Sequence, residues 1–70
     1  MSLKWDDAED LAIELADAHE GVDPLSVRFT DLHRFVVELA DFDDDAKASN
    51  EAKLEAIQMA WLEEYRERQR

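Results

Sequence analysis

The chain is predicted to be a small, mainly α domain of three helices with at most very short strands. Its 70 residues suffice for one domain with a single small core, spanning 1–70 without repeats or linkers. Two apolar series run at helical spacing: Leu32, Phe35, Val36 and Leu39, then Leu54, Ile57, Trp61 and Tyr65. Between them lies Asp41-Phe42-Asp43-Asp44-Asp45, which places four carboxylates in five positions. So dense a run repels itself unless cations or a basic partner screen it. Its place at a joint between two packed helices sets it apart from an ordinary solvated linker.

The opening Leu3-Lys4-Trp5 reads as extended, with Leu3 and Trp5 on one side. Asp6 is expected to cap the first helix, with Glu9 completing a capping-box-like pair and Asp7 and Asp10 suiting the positive end of the dipole. Ala8, Leu11, Ala12 and Leu15 form its buried stripe, and Asp10, Ile13 and Asp17 project from the other side, with Glu14 on the flank. A lone exposed isoleucine is ordinary; Ile13, on an acidic face, is the alternative candidate for a partner anchor. The helix should stop near His19-Glu20-Gly21, followed by a turn at Val22-Asp23-Pro24-Leu25-Ser26. Val27-Arg28-Phe29 is a strand candidate, and Thr30 is the expected cap of the second helix.

On that helix Asp31, Arg34, Glu38 and Asp41 share one face, with Arg34 expected to pair with Glu38. Asp31 and Glu38 stand about 10 Å apart along the axis, and the row runs on into Asp43-Asp44-Asp45. Ala46-Lys47-Ala48 reads as loop, and Ser49 or Asn50 caps the third and longest helix. Leu54, Ile57, Trp61, Leu62 and Tyr65 face inward along it. Arg66, Arg68 and Arg70 suit its negative end, with residues 66–70 expected to fray as a basic tail.

Charge excludes more than any motif. Nineteen acids face eight Lys and Arg, a net of −11; residues 1–65 alone carry 18 acids and 5 bases, a net of −13. Nucleic acid and anionic membrane surfaces both demand the opposite sign. With no cysteine, disulfides, thiolate metal sites and thiol catalysis are ruled out. No apolar run approaches membrane-spanning length, and the N-terminus lacks the core of a signal peptide. A soluble, cytoplasmic monomer is expected, with cations or a basic protein as its partners.

The spacing Asp41-x-Asp43-x-Asp45 invites a calcium EF-hand reading, but the glycine and glutamate it requires fall on Ala46 and Ala52. A looser site for hard cations fits better, with Asp31, Glu38, Asp41, Asp43, Asp44 and Asp45 as candidate ligands, exposed and weak. His19 and His33 read as surface or satisfied, partly buried histidines. The absence of a phosphate loop and of a nucleophile–base pair argues against an enzyme.

The run Val27-Arg28-Phe29-Thr30-Asp31-Leu32-His33, the tract 41–45, and Ala48-Ser49-Asn50-Glu51 with Leu54-Glu55-Ala56-Ile57 together resemble the IscX (YfhJ) family. Leu3-Lys4-Trp5 and Trp61-Leu62 extend the likeness over nearly the whole chain in one register. The resemblance implies a modified winged-helix fold and a role as an acidic accessory of bacterial iron–sulfur cluster assembly. It implies weak iron binding by acidic surface residues, and binding to the cysteine desulfurase on a surface that frataxin and ferredoxin also use. Asp31, Arg34, Glu38, Asp41, Asp43, Asp44, Asp45 and Ile13 are the residues expected to meet that partner. Ala46 stands where proline is common in the family, Val37 where a relative has cysteine, and residues 66–70 extend past the usual end. The other readings are a generic divalent-cation-binding or acidic interaction module, and a DNA-binding winged helix, which the charge disfavours.

Overall fold

The computed structural model describes residues 2–70. Three helices follow in order: α1 (Ala8–Ala18), α2 (Phe29–Val37) and α3 (Glu51–Arg68), with 3₁₀ turns at Pro24–Ser26 and Ala46–Ala48. The three-helix expectation holds. Among the described residues the only sheet-like pairing is a parallel bridge between Leu3 and Phe42.

The start of α1 departs from the expected cap. Asp7 occupies the cap position without capping the helix, and its carboxylate instead accepts the Lys4 N–H at 2.8 Å. Asp6 is free to form an ion pair with Lys53 of α3 at 3.3 Å. The helix ends as expected: His19 caps it through its N–H on the Leu15 carbonyl, and Gly21 takes φ 80°, the left-handed region that favours glycine. Asp23 then accepts the Leu25 N–H at 3.0 Å and organises the proline turn.

Residues 27–29 are not a strand. The Val27 N–H closes the proline turn on Pro24, and the Arg28 carbonyl already accepts from Leu32 as part of α2. Arg28, not Thr30, is the cap residue, and no side chain caps this helix. Two residues remain between turn and helix, too few to pair. The helix stops after Val37, where Leu39 and then Phe42 fold back in tight turns, the Leu39 N–H to Val36 and the Phe42 N–H to Leu39. Asn50 caps α3 as anticipated, its side chain accepting from the Lys53 N–H at 2.8 Å.

The core joins all elements. Leu3, Trp5, Leu11, Leu15, Leu32, Val36, Leu54, Ile57 and Trp61 are buried in one cluster, each large side chain contributing about 1.5–3 kcal/mol. Leu39 and Tyr65, expected inside, are half-buried at its edge. α1 and α3 run side by side in the same direction, since Asp6 meets Lys53 at one end and Asp17 meets Arg68 at 2.9 Å at the other. Arg68 also holds Glu64 at 3.1 Å, and α3 continues through Arg68 into the basic tail. No helix of the described residues is long and apolar enough to cross a membrane.

Candidate functional site

The acidic tract is built around the extended N-terminal segment. Leu3 sits between Asp41 and Asp43, donating its N–H to the Asp41 carbonyl and accepting the Asp43 N–H, both at 2.8 Å. Alternation then sends the Leu3 and Trp5 side chains inward and Lys4 outward, where its ammonium reaches the Asp43 carbonyl and lies 3.9 Å from the Asp43 carboxylate.

Trp5 does most of the anchoring. Its N–H donates to the Asp44 carboxylate at 3.1 Å, and its indole Nε1–H donates to the Asp45 carbonyl at 2.7 Å. Its ring stacks on His33 at 5.2 Å and meets Phe42 edge-on at 4.8 Å. His33 in turn donates from Nε2 to the Ala46 carbonyl at 2.6 Å, because a carbonyl can only accept. His19 stacks on Phe35 at 4.1 Å. Both histidines therefore have structural partners.

Several candidate carboxylates are already engaged. Asp44 also accepts the Asp45 N–H at 2.7 Å. The Trp5 and Asp45 N–H groups hold the Asp44 carboxyl below the ordinary carboxylate range. Asp45 caps the Ala46–Ala48 turn by accepting the Lys47 N–H at 2.9 Å. Asp43, unlike the other two, accepts no backbone N–H on its carboxylate, which is reached by the Ser2 hydroxyl and Lys4.

The helical row is divided. Asp31 and Arg34 pair at 3.3 Å, so the expected Arg34–Glu38 pair is replaced by Arg34–Asp31. Glu38 is exposed at the end of α2. Asp41 lies beyond the helix and meets Glu14 of α1. The Asp41 carboxyl beside it, followed by desolvation and the charge of Asp17, raises the Glu14 pKa above its ordinary value. The fold thus brings Asp43, Asp44 and Asp45 to one loop and turns Asp41 toward α1. Among the described residues no three His, Asp or Glu side chains form a group that could hold a metal ion. These oxygens can offer one or two hard ligands to a hydrated cation, without a cage.

The acidic face marked by Ile13 extends further than the sequence suggested, onto α3. Glu9 and Ile13 of α1, with Ala60, Glu63, Glu64 and Glu67 of α3, line a groove of about 160 Å³ along the α1–α3 seam. Its signals in the sequence are faint: Glu63 and Glu67 are four apart, as are Glu9 and Ile13. Ile13 alone marked it, as an apolar residue among acids.

The profile of the family described as iron-sulphur cluster assembly matches residues 3–66. An uncharacterized protein of Pseudomonas aeruginosa is 55% identical over 64 residues, covering 91% of this chain and 97% of the relative. The matched span takes in both Trp5 and the tract 41–45 that it anchors. This chain belongs to the IscX (YfhJ) family of iron–sulfur cluster assembly proteins.

Proposed function

We propose that this protein is an acidic adaptor that binds the cysteine desulfurase of the bacterial cytoplasm, takes up iron weakly, and modulates cluster formation without catalysis of its own. The observation that carries this reading is an excess of outward-facing carboxylate on a rigid frame. Of the eight cationic side chains, Lys4, Arg34, Lys53 and Arg68 are held in ion pairs with acids of the same chain. Asp31, Glu38 and Asp43 remain accessible around the anchored loop. Such a surface steers a basic partner and orients it. Iron is cargo in this reading, held by exposed oxygens with most of its water retained. The fold is read as a modified winged helix whose wing is reduced to the Leu3–Phe42 bridge.

The loop dictates the test. Asp44 and Asp45 receive backbone N–H groups, so reversing them would disturb the loop as well as its charge. The informative variant is Asp31→Lys with Glu38→Lys and Asp43→Lys, titrated with the desulfurase. Exposed pairs contribute about 0.2–1 kcal/mol each, so the triple variant should bind far more weakly than any single one. The difference should shrink between 0.1 M and 1 M salt, as the Debye length falls from about 10 Å to about 3 Å. Equal affinities for a folded triple variant and the wild type would remove this surface from the interface. In parallel, an Fe²⁺ titration should broaden amide signals first at residues 31, 38 and 41–45; broadening that starts on α1 would relocate the iron.

A further inference from the structure

The α1–α3 seam has the makings of an interface distinct from the loop. Its centre is apolar: Ile13 is 44% exposed and stands over Ala12 and Ala60, whose small side chains leave the groove open. Four glutamates, Glu9, Glu63, Glu64 and Glu67, rim it, and no Lys or Arg lines it. Of the two arginines that end α3, Arg66 is not among the residues lining the groove, and Arg68 is occupied by Glu64 and Asp17. Met59, 49% exposed, lies one turn before Glu63 and extends the apolar edge of α3. Glu14, which meets Asp41, lies about 100° round α1 from Ile13, so the groove and the loop occupy different flanks of that helix.

Size and charge together select the occupant. A small-molecule pocket is about 300–1,000 Å³; about 160 Å³ holds one aliphatic side chain. Glu63 and Glu67 are spaced by one helical turn, which matches cations at the same spacing on a facing helix. We propose that the seam is a docking surface for a basic amphipathic helix of a protein partner. That helix seats one leucine-sized side chain against Ile13, Ala12 and Ala60, with Lys or Arg on adjacent turns facing the glutamates. The assignment stands whether or not the acidic loop contacts a desulfurase.

The test uses a synthetic end-capped helical peptide of alanine and lysine carrying a single leucine, and a twin with that leucine replaced by glutamine. Titrated into the ¹⁵N-labelled protein, the leucine peptide should shift the amides of Ile13, Ala60, Glu63 and Glu67 saturably. The twin has the same charge and should bind about tenfold more weakly, since it forfeits the buried aliphatic contact. Glu63→Gln with Glu67→Gln should weaken the leucine peptide and flatten its salt dependence, with the circular dichroism spectrum unchanged. Equal affinity for the two peptides would reduce the seam to a nonspecific anionic surface and overturn the proposal. Shifts confined to residues 41–45 would overturn it too, as would sedimentation showing that a second copy of this chain fills the groove.

Discussion

The loop at residues 41–45 and the α1–α3 seam are both acidic, yet their carboxylates serve opposite ends. In the loop, Asp44 and Asp45 accept backbone N–H groups and Trp5 is locked over them, so much of that charge maintains the chain's own geometry. Along the seam the rim glutamates surround an apolar groove, and of these only Glu64 has an ion-pair partner among the described residues. Density of acid along a sequence therefore does not measure the acid available to a partner. Short aspartates in irregular backbone find nearby N–H donors, whereas glutamates on a regular helix meet N–H groups already bonded within it.

The comparison can be broken most forcefully at Trp5, which is 1% exposed. Trp5→Ala should cost about 3–5 kcal/mol, comparable with the whole stability of a domain this size at about 0.05–0.15 kcal/mol per residue. Denaturant unfolding followed by circular dichroism would measure it. A loss below about 1 kcal/mol would mean that the tryptophan does not organise the loop.

The next largest effect is expected at Asp44. Asp44→Ala should lower the melting temperature more than Asp43→Ala and speed hydrogen exchange at the Trp5 and Asp45 amides. The folded-state pKa of Asp44 is depressed, so the stability it contributes is present above the unfolded value and lost as pH falls through the folded one. The gap between wild type and Asp44→Ala should therefore close as pH drops below 3.8. A gap constant down to strong acid would contradict the bonds assigned to this carboxylate.

On the seam the same measurements should show little. Ile13→Gln is expected to change stability by no more than about 0.5 kcal/mol, as for other exposed positions. A larger loss would show that Ile13 belongs to the core and is not held open for a partner.

The smallest effect tests the contact between loop and helix. Glu14→Gln should stabilise the protein at neutral pH by about 0.3 kcal/mol, the scale of a removed like-charge pair. The raised Glu14 pKa sets the sign: stability associated with protonated Glu14 is present below the unfolded value and lost as pH rises through the folded one. The advantage of the glutamine should thus vanish as pH falls from neutrality toward 4.5. Asp41→Asn should remove the largest part of the dependence on residue 14, leaving what desolvation and Asp17 contribute; an undiminished dependence would show that Asp41 is not the main partner.

Much of the frame was legible from spacing alone. Leu32 and Val36, or Leu54, Ile57 and Trp61, announce their helices because burial on one side requires a period near 3.6, which is local along the chain. Gly21, Pro24 and Asn50 mark ends and turns for equally local reasons. The alternation of Leu3 and Trp5 put both on one side, which the fold then buried. The caps at Asp6 and Thr30 failed because each competed with a neighbour better placed: Asp7 turned back to Lys4, and α2 began at Phe29. What only the tertiary structure decided is the fate of the acids. Whether the Asp44 carboxylate meets water or the Trp5 N–H depends on a residue 39 positions away. Whether Asp41 extends a helical row or meets Glu14 depends on α2 ending at Val37. The seam exists only because α1 and α3 pack in parallel, which joins Glu9 and Ile13 to Glu63 and Glu67. A carboxylate takes whichever donor the fold delivers, and donors far along the chain leave no period in the sequence to read.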